Sequence, residues 1–459
     1  MPHYSVLLPH PLEPRLLMLG AHGAWRLPAW DDPAEHGWQE TDHVNRAIAA
    51  RFGMETTVLR CVRSRTDPAT GATRRVYELE NHSAPHDIIP AATWIGAAEL
   101  DTQHITDRET RELADEWFAQ QSGEHPSRGP AWSHRGWFIE AVAWTVAQLR
   151  GSGALATRPT QQLRSSERAF VMRIEADHEA FYFRAAPFMF GHEPQLMQWL
   201  ARKHPLNVPE VIAVDAERGW LLQREAGGGA LPLSEEREEE MWYRAVRRMA
   251  EIQLDSTRDA PALRYLGCPA RGLDVLARRI PRLCGDASVL LSAQPCGLPQ
   301  HEAERVASLA PTLLALCEEL ASFDLPDCLD YGQLRAHNVF STLGEPVYLD
   351  WSESAISHPF FTVTHLLEDA VRLLPATSRE AQRRLRDNYL APWRVVAPYE
   401  RLVRAFEIAR RLAPFHLAAT VHAEWLPATG FTWELECAIP TLIRAGLELL
   451  TDQETALLA

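Results

Sequence analysis

Apolar and polar positions alternate, or run apolar over short stretches, at residues 4–8, 15–19, 57–62 and 75–79, and each stretch predicts a strand. Between them, residues 40–52 show helical spacing that stops at Gly53, a natural C-cap. Residues 107–121 predict a second helix with acidic residues in its first turn. The first 122 residues therefore read as a mixed α/β unit. Residues 123–156 then read as a linker and connecting helix. The linker is the turn-rich stretch 121–130, and the helix is amphipathic over 136–150. From about 157 the pattern turns to strands. Residues 168–174 and 180–185 predict a hairpin bridged by Asp177-His178-Glu179, and residues 208–214 and 219–224 predict another. A helix at 193–202 lies between them, with Pro194 in its first turn.

After Gly227-Gly228-Gly229 the chain is almost wholly helical, with helices expected at 234–254, 301–323, 361–374, 378–393, 399–412 and 433–451. A β-rich segment 157–226 and an α-rich segment 227–459, joined by a glycine-rich hinge, make a two-lobed plan with a cleft between the lobes. The fold class expected for the whole chain is α+β.

Composition narrows the function classes. The net charge of -15 opposes nonspecific binding to nucleic acid or anionic lipid. No run approaches the ~18 apolar residues that a membrane span needs. The start MPHYSVLLPHPLEPRLLML lacks the basic region and cleavage site of a secretory signal. Seven dispersed cysteines without a C-x-x-C pair predict reduced thiols and a cytoplasmic setting. The 19 histidines include no H-E-x-x-H, so zinc is not expected.

The segment Leu329-Asp330-Tyr331-Gly332-Gln333-Leu334-Arg335-Ala336-His337-Asn338, followed by Tyr348-Leu349-Asp350-Trp351, carries the chemistry. Asn338 lies twelve residues before Asp350, and Asp350 closes an apolar run. One amide carbonyl and one carboxylate are the oxygen ligands that suit Mg²⁺. The segment resembles the aminoglycoside phosphotransferase and choline kinase-like family, small-molecule kinases with a protein-kinase-like fold. Their loop reads H-G-D-x-x-x-x-N, with D-[WF] about twelve residues later. Gly332, Asn338, Asp350-Trp351 and the spacings match, and Pro359 matches the stretch that follows. The resemblance spans about 160–450.

That resemblance implies Mg²⁺ held by Asn338 and Asp350 against the phosphates of ATP. It places Arg184 at the phosphate-binding Lys position, and Glu193 at the Glu that pairs with that Lys. Gln223 and Glu225 fall in the hinge that meets the nucleotide, Gly219 to Gly228. At the position of the family's catalytic Asp stands Gln333, an amide that cannot act as a general base. His358 is expected to cap the helix that begins near 361, the resemblance places Glu353 near the cleft, and Glu368 and Asp369 are candidates for recognising a cationic or polyhydroxyl substrate.

In the N-terminal unit, Trp25 to Pro28 and the helix ending Arg46-Ala47-Ile48-Ala49-Ala50-Arg51-Phe52-Gly53 resemble the Nudix fold. That family's box is R-E-x-x-E-E-x-G. Arg46 and Gly53 match, but the metal-binding glutamate positions hold Ala47, Ala50 and Arg51. The resemblance without those carboxylates implies no hydrolysis.

The expectation for the chain is an ATP- and Mg²⁺-dependent phosphotransferase acting on the hydroxyl of a small molecule, impaired or repurposed by Gln333. The alternative is a pseudokinase-type regulatory protein that binds a nucleotide or metabolite. Neither a nucleic acid nor a membrane partner is expected. A homo-oligomer or a regulatory partner would engage through the N-terminal domain.

Overall fold

The computed structural model describes residues 1–459 except 22, 68–69, 85–90, 106, 123–128, 232–235, 292–295, 374–378, 430–432 and 458–459. The centre of the expected linker and the expected helix starts at 234 and 378 lie outside the described residues. The chain divides into two compact units, Met1–Pro187 and Phe188–Ala459.

Period-two patterning builds the first unit. Strand His3–Leu7 pairs antiparallel with Ala29–Asp31 and parallel with Thr73–Asn81, which pairs in turn with Thr56–Thr66. Alternate side chains serve opposite faces, as a pleated strand requires. Val6 and Tyr77 pack against Val44 and Ile48 of helix Asp42–Phe52. Their neighbours Leu7 and Val76 pack against Leu113 and Trp117 of helix Arg108–Gln121. The first helix ends as expected, with Gly53 left-handed at φ 67° and its N–H bonded to the Ala49 carbonyl. A three-stranded antiparallel sheet, with Arg15–Ala21 between Ala24–Arg26 and Ala92–Gly96, adds to this unit.

The expected hairpin forms from Phe170–Ala176 and Glu179–Ala185, turning at Asp177 and His178, both with positive φ. Gln161–Ser165 pairs beside it. Buried Gln162 then joins this hairpin to the N-terminal sheet, exchanging 2.7 Å hydrogen bonds with both the N–H and the carbonyl of Val58.

The second unit opens with helix Glu193–Lys203, Pro194 in its first turn, and the antiparallel hairpin Val211–Asp215/Trp220–Arg224. The glycine-rich segment follows. Gly228 has φ +67°, and a Cβ there would lie 2.0 Å from the Ser341 carbonyl, so only glycine fits. The body is helical, as the spacing predicts, and the longest of the helices it did not anticipate among the described residues is Leu273–Gly285. Its buried Leu276, Ile280 and Leu283 sit at i, i+4 and i+7, a signal obscured by the internal Pro281. The helix expected to stop near 412 continues to Thr420 through Pro414. Phe415, Ala418 and Ala419 are buried along it, and this burial outweighs the proline's local penalty.

The cysteines correct the expectation of reduced thiols throughout. Cys296 and Cys437, 141 residues apart, form a disulfide. The expectation failed because tertiary contact, not sequence spacing, brings them together. Cys268, Cys284, Cys317 and Cys328 are buried thiols, and Cys61 is half-buried. Among the described residues, no helix is long and apolar enough to cross a membrane.

The cross-link closes a long loop, so opening it releases entropy to the unfolded chain. Cys437→Ser, or added reductant, should lower the unfolding free energy by about 2–4 kcal/mol. Denaturant midpoints with and without reductant measure this, and Cys437→Ser should remove the reductant's effect.

Candidate functional site

Two short antiparallel pairs in the second unit position the loop. Strand Cys328–Asp330, wholly buried, pairs with Ala355–Ser357, setting Asp330 opposite Ala355. A hairpin joins Val339–Thr342 to Glu345–Tyr348 through Leu343 and Gly344, both with positive φ. At the hairpin's open end the Leu349 N–H donates to the Asn338 carbonyl at 2.9 Å. This bond fixes Asn338 beside the residue that precedes Asp350, as the spacing in the sequence implied. Asp350 is left-handed at φ 58°, a conformation that costs a non-glycine residue about 1–3 kcal/mol and clusters at functional sites. The Ser352 hydroxyl donates to its Oδ1 at 2.7 Å.

The loop is held from several sides. The Tyr331 hydroxyl donates to the Leu349 carbonyl, and its ring meets Trp351 edge-on with centroids 4.8 Å apart. Asp369 accepts from the Ala336 N–H at 2.9 Å and pairs with Arg335 at 3.1 Å. Arg335 also reaches Glu368 at 3.3 Å. Asp369 and Glu368 both brace the loop through the Arg335 guanidinium. His358 behaves as expected. It is buried, and its Nδ1 accepts from the Phe360 N–H at 3.3 Å, capping the short turn Pro359–Phe361. Burial drives its pKa down to about 3, so the ring is neutral. His337 is exposed.

Gln333 reaches a carboxylate. Its Nε2 donates to both oxygens of Glu353, at 3.2 and 3.0 Å. Glu353 is only 9% exposed and lines a small cavity with Gln333, Asp330, Arg271, His365 and His416. Gly332 permits this approach. Its φ is +86°, and a Cβ there would stand 2.8 Å from Glu353 Cβ. Asp330 is differently engaged, accepting from the Thr362 hydroxyl and from the Gly332 N–H at 3.2 Å. It is 2% exposed, and desolvation pushes its carboxyl up to about 6 against the pull of those hydrogen bonds.

Arg271, 4% exposed, escaped notice in the sequence because no motif surrounds it. Its Nη1 donates to the Glu353 carbonyl at 2.7 Å, and its Nη2 to Glu424 at 2.7 Å. Glu424 also accepts from Arg279 at 2.6 Å. Burial pushes the Glu424 carboxyl up, and the two arginines more than offset this, holding it below the usual range.

The remaining expected site residues are carried by other elements. Arg184 is half-buried on strand Glu179–Ala185 of the first unit, opposite Val171. In the second unit, Glu193 opens its helix and is 2% exposed. Gln223 pairs with Val211 on strand Trp220–Arg224, and Glu225 follows the strand, exposed.

A Mg²⁺ ion takes oxygen donors, only one or two of them from protein. Among the described residues, the Asn338 carboxamide makes no hydrogen bond, and no three His, Cys, Asp or Glu side chains cluster as a metal-binding group. One unengaged amide and one carboxylate on fixed backbone suit an ion that takes one or two protein oxygens and keeps the rest for water and phosphate. The residues fit.

No model of a known protein family matches the chain, and no curated protein matches it. Solved structures similar to it include a choline kinase from Cryptosporidium parvum, with 12% identity and TM-score 0.48, covering 65% of this chain and 90% of that one. Another is a Plasmodium vivax ethanolamine kinase, with 9% identity and TM-score 0.46, covering 75% and 89%. A type I macrolide 2'-phosphotransferase is similar at 13% identity and TM-score 0.44, covering 66% and 96%.

Asp330 yields a pH prediction. Its folded pKa of about 6 lies above the usual aspartate value of 3.8, so its contribution to stability is fully present below pH 3.8 and is lost as pH rises through about 6. Across that window the loss is about 3 kcal/mol. Asp330→Asn should therefore gain stability relative to the native chain between pH 4 and pH 7, measured by denaturant unfolding at each pH. A constant difference would show that Asp330 does not titrate in this window.

Proposed function

We propose that this protein is an ATP-dependent phosphotransferase that acts on a hydroxyl of a small molecule. The observation that carries the reading is the hairpin that bonds Asn338 to Leu349, the residue before the left-handed Asp350, with the Asn338 carboxamide unengaged among the described residues. The motif that these residues complete, Gly332 to Asn338 and then Asp350-Trp351, supports it independently.

Asn338 and Asp350 would hold Mg²⁺, which supplies charge neutralisation to the transferring phosphoryl group. The chain's own contribution is positioning. The Ser352 hydroxyl orients the Asp350 carboxylate, and Tyr331 and Asp369 keep the loop in place. The resemblance assigns phosphate contact to Arg184 and Glu193, and nucleotide contact to Gln223 and Glu225. Arg differs here from the family's Lys, being a planar fork rather than a compact ammonium.

A second reading, nucleotide binding without transfer, draws on Gln333, whose amide cannot accept a proton. In either case the N-terminal unit serves in binding or scaffolding. Its Nudix-like helix carries Ala47, Ala50 and Arg51 where that fold's metal site needs glutamates.

MgATP should raise the melting temperature of the native chain by several degrees, and Asp350→Ala should abolish the part of this shift that depends on Mg²⁺. ADP formation should appear with at least one member of an acceptor panel of amino alcohols and aminoglycosides. No stabilisation by ATP, with or without Mg²⁺, rejects the phosphotransferase. Stabilisation without turnover across the panel favours the second reading.

A further inference from the structure

We propose that Glu353 is the proton-accepting catalytic residue, taking over at position 353 the carboxylate that the loop lacks at position 333. The inference rests on the phosphotransferase reading above and names the residue on which its chemistry turns.

Three observations converge. Gln333 projects from the loop at the expected place, and its amide hydrogens both serve one group, the Glu353 carboxylate. The substitution has thus left a carboxylate within hydrogen-bond reach of residue 333. Second, the local backbone is shaped to admit it. Gly332 at φ +86° leaves the space into which the Glu353 Cβ passes, and any larger residue would push it away. Third, Glu353 is held in place through its main chain. The Arg271 guanidinium binds its carbonyl oxygen, while Glu424 takes the remaining charge of that arginine, so Arg271 does not claim the Glu353 carboxylate.

The other titratable groups facing this cavity have different commitments. Asp330 accepts from Thr362 and Gly332. His365 contacts Glu368 at 3.3 Å. His416 donates to the Arg271 carbonyl at 3.0 Å. Gln333 keeps its carbonyl, which accepts no hydrogen bond among the described residues, and this can accept from a second hydroxyl or an amino N–H of the acceptor, leaving the reacting hydroxyl's proton to Glu353. The pair then divides the work of a single aspartate, with Gln333 orienting and Glu353 taking the proton.

The step balances without a further reagent. The acceptor oxygen forms a bond to the γ-phosphorus of ATP, and the bond from that phosphorus to the bridging oxygen breaks. ADP leaves with that electron pair. The hydroxyl proton passes to a Glu353 oxygen and from there to water.

Three variants test the assignment, each checked for folding by thermal melting and for MgATP binding by calorimetry. Glu353→Gln should bind MgATP as the native chain does and lose phosphoryl transfer by roughly 10²–10⁴-fold, the usual worth of a general base. Gln333→Asp alone should bring no gain, because two adjacent carboxylates raise each other's proton affinity. The double variant Gln333→Asp/Glu353→Gln, which moves the carboxylate back to the loop, should recover at least about tenfold of the lost rate.

Transfer by Glu353→Gln within about threefold of native overturns the assignment and leaves the phosphotransferase reading standing. So does a loss that the double variant fails to rescue, which would mark a structural role. A large gain from Gln333→Asp alone also overturns it. Should Glu353→Gln not fold, Gln333→Leu carries the test. Removing the orienting amide should cut kcat by about tenfold or more with MgATP binding intact, and an unchanged kcat overturns the proposal. A native chain that binds no MgATP defeats both readings, whereas one that binds it without any turnover defeats the assignment and leaves a nucleotide-binding protein.

Discussion

One buried guanidinium, that of Arg271, joins the parts on which the rest of the second unit depends. Its side chain meets the Glu353 carbonyl and Glu424, its N–H donates to the Ile356 carbonyl at 2.8 Å, and its own carbonyl accepts from Ser357 and His416. An arginine can serve so many partners because its planar fork offers five donors in fixed directions. The segment 353–357, the strand pair with Cys328–Asp330 and the end of helix Tyr399–Thr420 are thereby tied to one point. Removing one member of a buried pair of this kind leaves the other charged and without water.

That constraint explains how a loop can change its chemistry while keeping its shape. The strand carrying Asp330 and the segment carrying Glu353 are held side by side by main-chain pairing, independent of the side chain at 333. The amide at 333 is accommodated there because it finds an acceptor in Glu353. The half of the loop that carries Asn338 and Asp350 is set separately, by the Val339–Thr342/Glu345–Tyr348 hairpin. The two halves are therefore positioned independently of each other.

Much of this was legible in the residues. The strand alternation in the first 81 residues, the Gly53 stop, the turn at Asp177-His178 and the capping role of His358 all follow from local patterning, and all are present. The partners of Glu368 and Asp369 were not legible. Acidic side chains on a helix show no partner in a sequence, and only folding shows that both pair with Arg335. Helix Leu273–Gly285 was hidden by its internal proline, and the helix through Pro414 outlasted its expected end.

The sequence by itself determined the α+β arrangement of segments, the spacing that brings Asn338 and Asp350 to one turn, and the absence of a carboxylate at 333. These depend on local periodicity and on residues close together along the chain. Only the tertiary structure decided that Cys296 meets Cys437, that Arg271 sits at the centre of a buried network, and that Glu353 lies against Gln333. Those pairings join positions from 20 to 153 residues apart. No periodicity encodes them, because they follow from how separately specified elements share one buried space.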